Sequence, residues 1–164
     1  MIKKIIVALF VAIPFLASAQ AKFGVVNVEE LTRSMPEYTK VQEEIATINN
    51  KLQEEAKGME SEIQKKYDEF QALSPDTPDA IKQRRQQEIE ELAQKYQQWR
   101  ASANQNLQQQ TELLVAPVQQ KVQRAIQAVG EAGNFTFIFY NEMPIFTGKD
   151  VIDVTPKVKT ELGL

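Results

Sequence analysis

Apolar residues in the first half of the chain recur at helical spacing. From Ile45 to Phe70 the steps between them are three, four, four, three, four, four and three residues. This eleven-residue repeat lies close to the natural twist of the α-helix, so it predicts a nearly straight or slightly right-handed helix pair. The apolar positions of this stretch are Tyr38, Val41, Ile45, Ile48, Leu52, Ala56, Met59, Ile63, Tyr67, Phe70 and Leu73.

A second stretch carries the same period. Between the two stretches, residues 74–79 include two prolines and several capping residues, which predicts a turn with Thr77 as the helix cap and Pro78 at the first helical position. Two helices that share one period and follow each other through a short turn are predicted to form an antiparallel hairpin. The positions that repeat at eleven residues are Leu92, Ala103 and Leu114, and also Tyr96, Leu107 and Val118.

The base of the hairpin is marked by two prolines. Ser34 and Glu37 have the spacing of a capping box, and Pro36 suits a first helical turn, so the first helix is predicted to begin here. Pro117 removes a helical hydrogen bond and is predicted to kink the second helix. The two arms then cover residues 37–73 and 79–116, and at 1.5 Å per residue each reaches roughly 55 Å. An arm of residues 37–116, with its turn near 74–79, is expected to project from the rest of the protein.

Short apolar segments flank the hairpin. Residues 23–28 and 135–140 are predicted to be strands, residues 141–142 a turn, and residues 143–146 a second, shorter strand. A short helix is predicted after Pro117, and a final helix from Thr155 to a stop at Gly163. The first strand and the last strands are expected to meet, because neither can bury its apolar face alone. The sequence thus predicts an α+β fold with a small β-containing body, residues 20–36 and 117–164.

The two main strands predict association of subunits. Both are too apolar to lie at free sheet edges, where they would invite aggregation. We therefore expect the body to be an oligomerisation domain. The residues expected to form it are Val25, Val26, Val28, Phe135, Phe137, Ile138 and Phe139.

The N-terminus predicts export. Lys3 and Lys4 precede an apolar run over residues 5–16, and small residues with an A-x-A pattern follow at 17–19. This order is typical of a secretory signal peptide over residues 1–19, and a retained membrane anchor is the alternative. The run is shorter than the about 20 residues that span a bilayer. We expect a soluble periplasmic protein, cleaved after Ala19 or after Ala21.

The composition excludes several classes of function. The chain has neither histidine nor cysteine, so it lacks the usual general base and the usual zinc ligands, and it cannot form disulfides. It contains none of the phosphate-binding, dinucleotide-binding or nucleophile motifs. Without Lys3 and Lys4 the mature chain has 17 basic and 22 acidic residues, a net charge of −5, which argues against nucleic-acid binding. The sequence therefore predicts that the protein is not an enzyme and that it binds neither a cofactor nor a metal ion.

A small basic cluster lies near the predicted tip of the hairpin. Lys82, Arg84 and Arg85 could contact acidic lipid head groups or acidic stretches of a bound protein. The alternative is an ordinary solvated helix start, which the nearby glutamates favour. Tyr96 and Trp99 fall on the apolar stripe, so packing between the arms is their expected role.

Several segments in a fixed order carry a resemblance to a known family. They are Gly24-Val25-Val26-Asn27-Val28, Ser34 to Glu37, the charged hairpin, Val122-Gln123-Arg124-Ala125-Ile126 before Gly133, the aromatic strand at 135–140, and Asp153-Val154-Thr155 with Val158 and Leu162. Through them the chain resembles the Skp/OmpH family of periplasmic chaperones over its whole predicted mature length. The resemblance implies a homotrimer, with three hairpins held like tentacles around a cavity for unfolded outer-membrane proteins, and activity without ATP.

One feature departs from the family, whose best-known members are strongly basic, whereas this mature chain is acidic. This departure favours holding of the client by enclosure in a cavity and by weak apolar contacts, and not by electrostatic attraction. Whether the protein contacts anionic lipid stays open. Two other classes of protein stay open at this point. One is a periplasmic adaptor of an envelope complex, and the other is a structural coiled-coil spacer that holds no client.

The position of the signal peptide gives a first prediction. The exported protein should begin at Gln20 or Lys22, because the A-x-A patterns end at Ala19 and Ala21. Intact mass spectrometry of the protein from the periplasmic fraction measures this directly. A chain that keeps Met1 and sediments with membranes would show the segment to be an anchor.

Overall fold

A computed structural model describes residues 21–164. The predicted signal peptide, residues 1–19, lies outside the described residues. Along the chain the elements are β1 (Phe23–Val26), α1 (Val28–Ser34), α2 (Pro36–Gln71), α3 (Asp79–Ala132), β2 (Phe137–Tyr140), β3 (Ile152–Asp153) and α4 (Thr155–Leu162). The chain divides into two compact units. Of the described residues, one unit combines 21–28 with Arg124–Gly163, and the other covers Glu29–Gln123 together with Leu164.

The second unit contains an antiparallel helical hairpin, as predicted. The Tyr96 hydroxyl on α3 donates to the carboxylate of Glu60 on α2, and the Lys121 ammonium forms an ion pair with Glu37. The midpoint between residues 60 and 96 along the sequence is position 78, and the midpoint between residues 37 and 121 is position 79. These two contacts therefore belong to one register of the hairpin. The stripe is the less exposed side of α2, and its residues Leu52 and Ala56 line a groove together with Ala103 and Leu107 of α3.

The seam between the two helices is only partly covered. The predicted stripe residues of α2 are half-buried, except for Tyr67, which is exposed, and no residue of α2 is fully buried. Full burial in this unit is confined to Leu31, Met35, Val118 and Val122. Along most of their length, therefore, the two helices share apolar surface without enclosing it.

The helix boundaries differ from the prediction in two details. The predicted capping box at Ser34 is wrong, because Met35 is the N-cap and the Ser34 hydroxyl instead donates to the Glu30 carbonyl of its own helix, at 2.8 Å. At the turn, α3 begins at Asp79, and the Pro78 carbonyl accepts from the backbone N–H of Ile81 at 2.9 Å. Pro78 thus takes the cap position that the sequence predicted for Thr77.

The separate short helix predicted after Pro117 is also wrong. α3 is one helix of 54 residues with Pro117 inside it, so the short helix predicted after the proline is the end of α3. A proline costs a helix the hydrogen bond to the carbonyl four residues earlier, here that of Leu113. The buried Val118 and Val122 hold the following turns in place. The hairpin pairing accordingly continues past Pro117 to Lys121.

The first unit is organised around a three-stranded parallel sheet with the order β2-β1-β3. Phe23 pairs with Phe137 and Val26 with Tyr140, and on the other side Gly24 pairs with Ile152. The expected meeting of the first and last strands is confirmed, but β1 lies at the centre of the sheet and has no free edge. The buried side chains of this unit are Val26, Ala125, Val129, Val154 and Val158, with Thr155.

Two predicted strands have different limits. Val28 begins α1 and does not extend β1, because the backbone N–H of Asn27 leaves the sheet to donate to the Thr155 hydroxyl at 2.9 Å. Phe135 precedes β2, because its N–H donates to the Gly130 carbonyl at 3.0 Å and completes the end of α3.

The strand predicted at residues 143–146 does not form. Met143 closes a turn onto the Tyr140 carbonyl at 3.0 Å, and Pro144 has no N–H to offer a neighbouring strand. The third strand lies instead at Ile152–Asp153. The final helix is confirmed, and it stops at Gly163, whose φ of 75° suits glycine.

The ring of Phe135 fills a narrow space inside the first unit. A Cβ atom on Gly24 would lie 3.1 Å from one edge of the ring, and a Cβ on Gly133 would overlap the other edge. The Lys22 ammonium lies 4.3 Å from the ring centre and donates to the Gly133 carbonyl at 2.8 Å. These contacts tie the start of β1 to the end of α3. The predicted division into a body and an arm of residues 37–116 stays a prediction, because the extent of a body depends on the assembly.

Two glycine-to-alanine substitutions should have opposite effects. Gly133→Ala should destabilise the fold by about 1–3 kcal/mol, because the methyl group would overlap the confined Phe135 ring. Gly58→Ala should stabilise it by about 1 kcal/mol, because the position is an open site inside α2. Urea unfolding followed by circular dichroism at one protein concentration measures both. A Gly133→Ala variant as stable as the parent would contradict the packing described.

The ion pair at the base of the hairpin should make stability depend on pH. The Lys121 ammonium lowers the pKa of the Glu37 carboxyl below its ordinary value of 4.5. The ion pair therefore stabilises the fold fully above the ordinary pKa of 4.5, and this stabilisation is lost as the pH falls through the lowered pKa of Glu37. Between about pH 6 and pH 3, the Tm of Glu37→Gln should fall less steeply than that of the parent. Glu44→Gln on the same helix is the control, and equal slopes for parent and Glu37→Gln would refute the effect.

Candidate interaction surface

Three phenylalanine rings form a ladder on one face of the sheet. Phe23 on β1 stacks on Phe137 of β2 with 6.3 Å between ring centres, and Phe137 lies 5.8 Å from Phe139. Alternate residues of a strand point to opposite faces, so Gly24, Val26 and Ile138 face the other way. The ladder is exposed: 38% for Phe23, 57% for Phe137 and 38% for Phe139.

The connection from β2 to β3 adds apolar surface beside this ladder. The connection, residues 141–151, and the sheet together enclose an open cavity of about 380 Å³. The Thr147 side chain supplies the only hydroxyl group of the lining. The cavity is lined by Phe23, Val25 and Phe139 of the sheet and by Met143, Pro144, Phe146, Thr147 and Val151 of the connection.

Three side chains of the connection are strongly exposed. Met143 is 65% exposed, Phe146 is 85% exposed, and Ile145 is 107% exposed, which is as open as an isolated extended residue. A soluble protein rarely leaves so many large apolar groups together in water, and such surfaces mark interaction sites. We call the ladder and this connection the aromatic face. It comprises Phe23, Phe137, Phe139, Met143, Ile145 and Phe146.

The predicted oligomerisation residues are divided between this face and the interior. Val25, Phe137 and Phe139 lie on the aromatic face or line its cavity. Val26 is buried, and Ile138 and Phe135 pack against the glycines of the interior. Val28 lies in α1. A role of any of them in contacts between subunits stays a prediction.

Sequence reasoning missed four residues of the aromatic face. The sequence predicts a strand at Phe23 but no role for it in subunit contacts, and it predicts a strand over Met143, Ile145 and Phe146. Residues 143–146 contain no polar side chain, although Pro144 disfavours an inner strand, and this combination indicates an exposed apolar segment.

The basic cluster at the tip is held by local partners. The Lys82 ammonium donates to the Pro75 carbonyl at 2.9 Å, and Arg85 donates to the Glu88 carboxylate at 2.8 Å. Arg84 lies 3.4 Å from the same carboxylate. The hydrogen bond from Arg85 lowers the pKa of Glu88. Each of the three cations thus has a partner on its own hairpin, which reduces the charge offered to another molecule.

A polar contact and a small groove interrupt the apolar seam of the hairpin. The rings of Tyr96 and Trp99 stack with 6.1 Å between their centres, beside a groove of about 150 Å³ between α2 and α3. The Tyr96 hydroxyl donates to Glu60, and this bond raises the pKa of Tyr96. Both aromatic side chains are half-buried, in the packing position that the stripe predicted.

Neither a metal site nor a membrane span is found in the part of the chain that the structure describes. Within residues 21–164, acidic side chains do not gather in a group that could hold a metal ion. Over the same residues, none of the helices combines the length and apolar character needed to cross a bilayer.

Comparison with known proteins supports the predicted family. The sequence profile of the family described as "Outer membrane protein (OmpH-like)" matches residues 22–162. Seven chains of solved structures match significantly, whereas no curated protein sequence does. One of the seven is a candidate outer membrane chaperone (OmpH-like) from Caulobacter crescentus CB15. It has a TM-score of 0.72 and 14% identity, over 88% of this chain and 85% of the other, and it shows a common fold. The chain therefore belongs to the OmpH-like outer membrane protein family.

Proposed function

We propose that the chain is a periplasmic holding chaperone that binds unfolded outer-membrane proteins without ATP and prevents their aggregation. Membership of the OmpH-like family over residues 22–162 supports a chaperone, and the fold is that of a candidate outer membrane chaperone. The structural observation that carries the proposal is the half-covered apolar stripe along the hairpin. Such a surface offers weak contact at many places and strong contact at none.

The length of the stripe determines how holding works. α2 has 36 residues, so the stripe extends over roughly 54 Å. An unfolded chain that touches several points of this stripe gains affinity through multivalency, although each contact is weak. It also stays mobile, because no contact fixes one conformation. This mode of binding suits a protein that must later release a client intact.

Assembly into a homotrimer belongs to the same proposal. With ~200 Å² for a fully exposed large side chain, the aromatic face exposes on the order of 700–800 Å². This approaches the ~800 Å² that each partner buries in a stable protein–protein interface. Three copies joined through this face would present three hairpins to one client, and the number of weak contacts would rise threefold.

Charge has a minor part in the proposed mechanism. The mature chain is acidic, and the cations at the tip have partners on the hairpin. Contacts between surface charges are screened beyond about 8–10 Å at physiological salt. Salt should therefore weaken holding only modestly.

Shortening the hairpin tests the proposal. Removing residues 66–91 and joining the ends with a short glycine-rich loop respects the register about positions 78–79. The shortened chain should keep the oligomeric mass of the parent, but more of it should be needed to suppress aggregation, because the end of the stripe nearest the turn is gone, with Tyr67, Phe70 and Leu73. The assay is light scattering of a urea-unfolded outer-membrane β-barrel diluted into buffer.

The matched control changes charge alone. A variant with Lys82, Arg84 and Arg85 replaced by Gln should hold the β-barrel within about twofold of the parent at low and at high salt. If this variant loses holding as completely as the shortened chain, and salt abolishes holding by the parent, electrostatic capture is the mechanism. If the parent suppresses no aggregation at all, the chain is a spacer and not a chaperone.

A further inference from the structure

We propose that the groove beside Tyr96 and Trp99 binds an aromatic side chain of an unfolded polypeptide, together with an acidic residue next to it. The inference rests on the proposed function and names one of the weak contacts by which a client is held. The groove lies between α2 and α3, and all of its lining residues belong to the compact unit of Glu29–Gln123.

The floor of the groove is apolar and made partly of small side chains. Ala56 on α2 and Ala103 on α3 are half-buried, and they line the groove with the half-buried Leu52 and Leu107. Two methyl groups face the space where larger residues would fill it. The groove has a volume of about 150 Å³. An apolar cavity of about that size holds one benzene ring, so the groove matches the ring of a phenylalanine or tyrosine.

Aromatic side chains form the wall of the groove. The rings of Tyr96 and Trp99 stack with 6.1 Å between their centres, and the Tyr96 hydroxyl donates to Glu60 across the hairpin, which holds its ring in place. A third ring that enters the groove can stack against them or meet them edge to face. This wall therefore favours an aromatic guest over an aliphatic guest of similar size.

The rim of the groove is polar and carries a cation. Asn49, Gln53 and Asn104 are exposed and offer amide groups to the backbone of a guest. Arg100 is also exposed at the rim, and among residues 21–164 no acidic side chain forms an ion pair with it. A carboxylate beside the guest ring can therefore pair with the guanidinium of Arg100.

The proposed client supplies guests of this kind. Strands of outer-membrane β-barrels alternate apolar and polar residues, and they carry aromatic side chains near both surfaces of the membrane. In the unfolded chain these aromatic side chains lie in water, and some have a carboxylate close by. Each such site can occupy the groove briefly, which adds one weak contact to those along the stripe.

Trp99 reports on the groove directly, because it is the only tryptophan of the chain and gives one indole N–H signal in NMR spectra. The probe is the peptide Gly-Ser-Phe-Asp-Ser-Gly with both ends blocked, added to the isotope-labelled mature protein. The indole signal should shift with a dissociation constant in the millimolar range. The peptide with Leu for Phe should bind about fivefold more weakly, and the peptide with Asn for Asp about threefold.

Each comparison can overturn part of the inference. An indole signal that the Phe peptide does not move would refute the site. Equal affinity for the Leu peptide would refute the aromatic guest, and equal affinity for the Asn peptide would refute the role of the acidic residue.

Two variants of the protein test the groove from its own side. Ala103→Leu fills the groove and should bind the Phe peptide at least tenfold more weakly, whereas Ala101→Leu, on an exposed site of the same helix, should bind within about twofold of the parent. Arg100→Gln should bind the Asp and Asn peptides equally, whereas Lys95→Gln should keep the preference of the parent. Circular dichroism checks that each variant folds. An Ala103→Leu chain that is folded and binds like the parent would refute the groove, and so would an Arg100→Gln chain with the full preference for Asp.

Light scattering of the diluted β-barrel separates this inference from the proposed function. A parent chain that suppresses aggregation without binding the Phe peptide would refute the groove and leave the chaperone standing. A parent chain that binds the peptide through Trp99 but suppresses no aggregation would refute the chaperone and, with it, the client as the source of the guest.

Discussion

The parallel pairing of β1 with β2 and β3 is the constraint on which the rest of the structure depends. It joins Phe23 to Phe137 and Gly24 to Ile152, so segments more than a hundred residues apart share one small sheet. The chain between β1 and β2 must therefore return to where it began. Two long helices paired about positions 78–79 make that return, and the eleven-residue period lets them stay in contact as they do so.

The same pairing creates the aromatic face. The sheet buries Val26 on one side, and on the other its phenylalanines stack without a covering layer. The connection from β2 to β3 shields this side only in part, since its own apolar side chains point into water. The chain thus has two kinds of apolar surface. One is long, thin and half-covered along the hairpin, which suits transient holding, and the other is broad and open on the sheet, which suits stable association.

Much of this arrangement could be predicted from the sequence, because periodic patterns report directly on which residues a helix buries. The stripe from Tyr38 to Leu73 is half-buried as expected, apart from the exposed Tyr67, and the final helix has the predicted start and stop. The misses occurred where tertiary contacts outweigh local preference. α3 continues through Pro117 because buried neighbours hold the helix together. Val28 leaves the line of β1 because the hydroxyl of Thr155, distant in sequence, accepts the backbone N–H of Asn27. β3 has two residues, too few to show any alternation.

The sharpest single test of this account is the mass of the mature protein in solution, measured by native mass spectrometry across a range of concentrations. An open apolar face on the order of 700–800 Å² favours association of subunits, and the proposed homotrimer predicts a species of three times the subunit mass at micromolar concentration. If the protein stays monomeric at every concentration, the aromatic face either binds a different partner or binds no partner. In that case the proposed trimer, and the enclosure that depends on it, would be wrong.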